Sequence, residues 1–156
     1  MVGDGSYLMM SSEIATCLQE GYKINIVLID NYGFASINGL SERVGCQGFG
    51  TRYRFRRSAT QQLDGPVIPI DFAANAASYG AHAISVADMK EFETALAEAK
   101  KQDRTTVIVI RTQSEARVPD YDTWWDVPVA AVSEVESVRA ARKQYEEGLT
   151  KQRSML

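Results

Sequence analysis

The chain has 156 residues, 45% of them hydrophobic and 24% charged, with a formal net charge of −3. That is enough apolar material for one domain with its own core, and too acidic a balance for a whole surface that grips nucleic acid or anionic membrane by charge. Two cysteines, Cys17 and Cys46, do not make a disulfide scaffold, no apolar run approaches the ~20 residues of a membrane span, and no signal-like segment follows Met1, so a soluble cytoplasmic protein is expected.

Only Met1 and Val2 precede the triplet Gly3-Asp4-Gly5, fewer than the about five residues of an ordinary strand. The chain therefore reads as the continuation of something longer, truncated on its N-terminal side. From Leu8 to Glu20, Met9, Ile14, Cys17 and Leu18 recur at roughly helical spacing and Gly21 supplies a stop. "KINIVLID" follows, an apolar run over 24–29 of the kind found in strands buried on both faces, ended by Asp30 and Asn31. Between Asn31 and Pro69 no clean period is found; the stretch is studded with glycine and holds "GFGTRYRFRRS". Segments of this length without regular structure are usually functional or disordered. "IDFAANAASYG" predicts a short helix capped by Asp71 and stopped by Gly80, and "AHAISV" a strand. Asp88 and Glu91 form a capping-box pattern before a helix whose apolar face is Met89, Phe92, Leu96 and Ala99. "TTVIVIRT" is a second buried strand, "VPDYDTWWDVPVAAVSE" an aromatic connection, and Val138 to about Lys151 a charged helix interrupted by Gly148.

Apolar strands alternating with helices predict an α/β fold, a mainly parallel sheet flanked by helices. Ligands of such sheets collect at the carboxyl ends of the strands, where both Gly3-Asp4-Gly5 and Asp30-Asn31 fall. Asp4 offers a carboxylate, Asn31 an amide oxygen, and the loop after it a free carbonyl, placed at Gly33. An all-oxygen set of this kind suits magnesium or calcium and not zinc. With three protein ligands the remaining positions go to phosphate oxygens and water, as magnesium prefers. The first N–H groups of the following helix can receive a phosphate.

The stretch "GDGSYLMMSSEIATCLQEGYKINIVLIDNYGF" resembles the cofactor motif of the thiamine diphosphate enzymes, which runs from GDG over about two dozen residues to a terminal NN. Here the first Asn is replaced by Asp30, and the second, Asn31, is retained. The resemblance implies that Asp4, Asn31 and the Gly33 carbonyl hold Mg²⁺, that Gly5 and Ser6 meet the diphosphate, and that Gly3 and Phe34 complete the thiamine diphosphate contacts. "GFASINGL", "FGTRYRFR" with "LDGPVIPIDFAANAASYG", and "YDTWWDVPVAAVSE" narrow the likeness to the ring-opening hydrolases of myo-inositol degradation. The implied partners are a small cyclic dione substrate, upstream domains of the same enzyme and further copies in a homo-oligomer. The activating glutamate of this family comes from a separate domain and has no counterpart among these residues. On this reading 1–132 form most of the cofactor-binding domain and 133–156 a helical extension. Rival readings are an acetolactate synthase-like or 2-oxo acid decarboxylase member of the same family, a receiver-like signalling module and a non-catalytic assembly domain.

The remaining polar residues carry weaker signals. His82, the only histidine, precedes a strand far from both cofactor loops and is left outside the site. Arg52, Arg54 and Arg56 alternate with Tyr53 and Phe55, which reads as one face of an extended segment serving a polar substrate or a neighbouring subunit rather than nucleic acid. Trp124 and Trp125 read as an anchor for the terminal segment, and Glu13 as a solvated acid. Ser36 and Asn38 sit just beyond the metal loop, where they either face substrate hydroxyls or satisfy the backbone.

Overall fold

The computed structural model describes residues 1–114, 116 and 127–152. They divide into two compact units, one within Met1–Phe34 and Tyr53–Ala116 and one of Ala35–Arg52 with 127–152.

The first unit is a four-stranded sheet of order β1-β2-β4-β3, with β1 at Val2–Gly3, β2 at Asn25–Asp30, β3 at His82–Val86 and β4 at Thr106–Arg111. Every ladder is parallel, as the continuous apolar runs predict. Helices α1 (Asp4–Met10), α2 (Glu13–Gln19) and α4 (Phe72–Ser78) contribute to one core with Tyr7, Ile14, Phe72 and Ala76 packed around Leu28, Val107 and Val109. Ile108 joins instead the core that α5 (Met89–Lys101) closes with Ala95 and Ala99. Successive residues of β4 thus serve opposite faces of the sheet, as a pleated strand requires.

The predicted caps are in place. The Asp71 side chain accepts from the N–H of Ala74 at 2.8 Å, and that of Asp88 from the N–H of Glu91 at 2.8 Å. Glu91 reaches back to the N–H of Ala87 rather than to that of Asp88. Several expectations need correction. The segment from Leu8 to Glu20 is two helices, not one, because the chain turns at Ser11 and Ser12, leaving Met9 and Met10 exposed while Ile14 enters the core. Met89 is 67% exposed, so the apolar face of α5 is built from Phe92, Ala95, Leu96 and Ala99. The stretch between Asn31 and Pro69 is not irregular throughout: it contains α3 (Ala35–Arg43).

In that stretch, residues 53–57 also double back against 62–68, through bonds from Phe55 N–H to Pro66 O, Gly65 N–H to Phe55 O and Ile68 N–H to Tyr53 O. The second unit joins α3 to α6 (Glu136–Leu149). Asn38 of α3 is buried, donating to Glu42 and accepting from Thr51. Ser137 of α6 donates to the Gly45 carbonyl at 2.6 Å, and α6 runs through Gly148 instead of breaking there.

Candidate functional site

Parallel register brings the two sequence-predicted loops together. Val2 pairs with Leu28 and Gly3 with Ile29, so the next residues, Asp4 at the start of α1 and Asp30 at the end of β2, lie side by side at the carboxyl end of the sheet. Both are almost fully buried, 1% and 2% exposed. Asp4 Oδ2 accepts from the N–H groups of Asn31 at 3.2 Å and Gly33 at 3.0 Å, and its Oδ1 from that of Gly5 at 2.7 Å. Burial nevertheless holds the Asp4 carboxyl above the usual carboxylate range; the Gly33 and Gly5 bonds pull it back down, and neighbouring Asp30 pushes it up again.

The loop after β2 is bent sharply. Tyr32 has φ 65° and Gly33 φ 154°, and a left-handed residue other than glycine costs about 1–2 kcal/mol. Hydrogen bonds to charged acceptors, worth roughly 1.5–3 kcal/mol each, outweigh that cost: Tyr32 N–H to Asp30 Oδ1 at 3.2 Å and Gly33 N–H to Asp4. Arg111, the register partner of Asp30 across β2 and β4, adds an Nε bond to Asp30 Oδ2 at 3.3 Å and lies 5.4 Å over the Tyr32 ring.

This bend turns the Gly33 carbonyl towards the Asn31 amide. The amide lies 2.7 Å from Gly33 O and 3.1 Å from Asp4 Oδ1. Presented nitrogen-first, it donates to both; presented oxygen-first, three acceptors converge with no proton among them. The second form repels itself unless a cation sits between the oxygens. Adjacent ligands of a Mg²⁺ octahedron with bonds of about 2.1 Å lie ~3.0 Å apart, against ~3.4 Å for Ca²⁺ at about 2.4 Å. The observed spacings are equally those of the two hydrogen bonds that the nitrogen-first amide makes, so the donor types, rather than the distances, are what favour a hard cation. Among the described residues no three His, Cys, Asp or Glu side chains come together; the convergent set is one carboxylate, one amide and one main-chain carbonyl, chemistry that a hard cation accepts.

Gly5 and Ser6 lie in the first turn of α1, where N–H groups have no carbonyl one turn back. A Cβ on Gly5 would meet Phe34 Cδ1 at 2.6 Å, so the close seat of Phe34 on α1 requires glycine. A Cβ on Gly3 would meet nothing within 4 Å, and Ser6 is exposed. Gly3, Asp4, Gly5, Ser6, Asn31, Gly33 and Phe34 all belong to one unit and one corner of the sheet.

Other candidates fall elsewhere. His82 starts β3, at the opposite end of the strands, and pairs with Glu98 at 2.6 Å. Arg52 bonds Glu42, Arg54 the Gly65 carbonyl and Arg56 the Gln61 carbonyl. Each therefore holds a bend of its own chain. The amide of Asn38 is likewise engaged within its own unit, while Ser36 and Glu13 are exposed. Trp124 and Trp125 lie outside the described residues. Sequence reasoning missed Asp30 and Arg111 as a pair, and Tyr53. The one available signal for Asp30 is its departure from the Asn-Asn pattern. Asp30 and Arg111 also line a cleft of about 480 Å³ above the carboxyl ends of β2, β4 and β3.

Comparison with known proteins shows the family. The family described as thiamine pyrophosphate enzyme, C-terminal TPP binding domain, matches residues 1–110. A 3D-(3,5/4)-trihydroxycyclohexane-1,2-dione hydrolase of Geobacillus thermodenitrificans is 49% identical over 149 residues, covering 96% of this chain and 23% of the relative. The hydrolase of the same name from Bacillus cereus is 45% identical over 154 residues, covering 99% of this chain and 24% of its own. The chain thus spans about a quarter of the length of these relatives. Among solved structures, benzoylformate decarboxylase from Polynucleobacter necessarius superimposes with a TM-score of 0.60 at 24% identity, over 74% of this chain and 19% of that one. A 4-hydroxybenzoylformate decarboxylase of Rhodococcus jostii gives 0.56 over 72% and 19% at the same identity. These two likenesses speak for the fold alone. A parallel sheet that sets a GDG helix start beside an Asn-bearing loop, matched over 1–110, shows that the chain belongs to the C-terminal TPP-binding domain family of the thiamine pyrophosphate enzymes.

Proposed function

We propose that this chain is the cofactor-holding C-terminal part of a hydrolase that opens trihydroxycyclohexane-1,2-dione in myo-inositol catabolism. The observation that carries the reading is the 49% identity to a hydrolase of that name across 96% of the chain. The receiver-like alternative has no support from the family match. In the proposed reaction one ring C–C bond beside a ketone breaks and the elements of water are added, giving open-chain 5-deoxy-glucuronate. Thiamine diphosphate, when bound, supplies the thiazolium that acts as electron sink for that cleavage.

The chain's own residues bind and orient. Asp4, Asn31 and the Gly33 carbonyl hold Mg²⁺, a reading supported by the carboxylate, amide and main-chain carbonyl that meet at this corner. Gly5 and Ser6 present first-turn N–H groups to the diphosphate, with Gly3 leaving open space beside them. Phe34, seated on Gly5, keeps water from that side of the cofactor contacts. The enzyme works in the cytoplasm as a homo-oligomer, with the activating glutamate contributed from outside these 156 residues.

The test is product formation from the dione with Mg²⁺ and thiamine diphosphate. The complete polypeptide carrying this chain is expected to turn over and residues 1–156 by themselves to give none. A positioned acid–base group contributes ~10²–10⁴-fold and reactant positioning more, and the isolated segment is expected to lack both. Turnover by residues 1–156 alone would show that they complete the site; activity of the complete polypeptide on 2-oxo acids but not on the dione would move the assignment to the decarboxylase branch.

A further inference from the structure

Tyr53 is absent from the cofactor motif, yet it is tied to the same corner. Its N–H donates to the Tyr32 carbonyl at 3.2 Å, and its own carbonyl accepts from Ile68 at 2.8 Å. Its ring meets Phe34 edge-on, with centroids 6.1 Å apart and planes at 74°, and packs against the core cluster that contains Tyr7 and Leu28. The backbone and the ring are therefore both fixed.

The hydroxyl at the end of that ring is buried and has no hydrogen-bond partner. Native proteins pair almost every buried polar atom, and an exception asks for an explanation. Phenylalanine would fill the same space without a stranded oxygen. Burial, and after it the negative charges of Asp4 and Asp30, hold the phenol well above its ordinary value. It therefore remains a proton donor, and it lies within the field of those two carboxylates. Asp4 Oδ1 is also the oxygen that faces Asn31.

We propose that Tyr53 is a positioning residue for the cation site: when a divalent cation draws Asp4 into place, the Tyr53 hydroxyl donates to the Asp4–Asp30 carboxylate pair and fixes Asp4 in its ligating orientation. The hydroxyl is stranded without the cation and satisfied with it. This rests on the proposed reading of Asp4, Asn31 and Gly33 as cation ligands. It also predicts an asymmetry that a packing role does not produce, since removing the hydroxyl weakens cation binding without weakening the cation-free fold.

The experiment titrates Mn²⁺ into the complete polypeptide carrying this chain, without cofactor, following free Mn²⁺ by electron paramagnetic resonance, for wild type, Tyr53→Phe and Asp4→Ala. Loss of a partner that orients a metal ligand typically costs 10–100-fold in metal affinity. Tyr53→Phe is expected to weaken Mn²⁺ binding about tenfold or more while the cation-free melting temperature stays the same or rises; Asp4→Ala is expected to abolish binding. Affinity of Tyr53→Phe within twofold of wild type, with Asp4→Ala inactive in binding, overturns the role of Tyr53 and leaves the cation site standing. Unchanged binding by Asp4→Ala overturns the cation site, and the Tyr53 proposal with it. Should Tyr53→Phe lower the cation-free melting temperature, 3-fluorotyrosine at position 53 decides: its ¹⁹F resonance is expected to shift during a Mg²⁺ titration, and a resonance that stays fixed through saturation overturns the proposal.

Discussion

The Asp4 carboxylate is held by three N–H groups and still lies beside a second buried carboxylate, that of Asp30. A cation is the natural remedy for two neighbouring negative groups under 3% exposed. Asn31→Ala removes one ligand oxygen from the loop, and Asp4→Ala removes another together with the acceptor of the Gly5, Asn31 and Gly33 N–H groups, so that it also lowers the melting temperature. Each is expected to abolish Mg²⁺-dependent thiamine diphosphate binding in the complete polypeptide while leaving it folded, as calorimetry and circular dichroism would show. Binding that survives both substitutions at wild-type affinity would remove the metal assignment. Asp4, Asn31 and Gly33 were legible in the sequence because their donor chemistry and spacing are local properties. Asp30 with Arg111, and Tyr53 with Tyr32 and Phe34, were not: they are 81 positions apart in the first case, and in the second the chain must fold back to bring 53 against the loop after β2.

Among the elements, those read correctly have caps written in their own residues. The Asp88 and Asp71 side chains each bond an N–H three residues on, and Lys100 and Lys101 sit in the last turn of α5, where the helix dipole favours cations. Asp88→Ala is expected to destabilise the fold by about 1 kcal/mol, and Asp71→Ala by a similar amount, read as lowered melting temperatures. Asp88→Ser, which keeps an oxygen at the cap, should recover most of the loss. α3 escaped sequence reading for the opposite reason. Its buried residue is Asn38, while Ile37 and Leu40 are 53% and 56% exposed, so no apolar stripe marks the helix. Its stabilising bonds run through side chains to Glu42 and Thr51.

At the scale of the molecule, β1 forms the edge of the sheet with only two residues. Beside it Met1, Val2, Met10, Ile24 and Ile26 line an apolar hollow of about 250 Å³, and Met1 and Met10 are 90% and 65% exposed. An open parallel edge next to exposed apolar side chains promotes association. Residues 1–156 alone are expected to self-associate, giving a sedimentation coefficient that rises with concentration, and Val2→Lys should suppress it by placing a charge on the edge. A concentration-independent monomer would count against this account. No helix among the described residues is long and apolar enough to cross a membrane.

By itself the sequence determined the α/β class, the strands, the capped helices and the two loops that carry Asp4 and Asn31, because apolar period, capping chemistry and glycine placement act over a few neighbouring residues. Only the tertiary structure decided that Asp4 and Asp30 lie side by side at the carboxyl end of the sheet, that Tyr32 and Gly33 bend the Gly33 carbonyl towards Asn31, and that the Tyr53 hydroxyl is buried. Register, a strained bend and burial follow from which distant segments pack against each other, and no local pattern of residues encodes that choice.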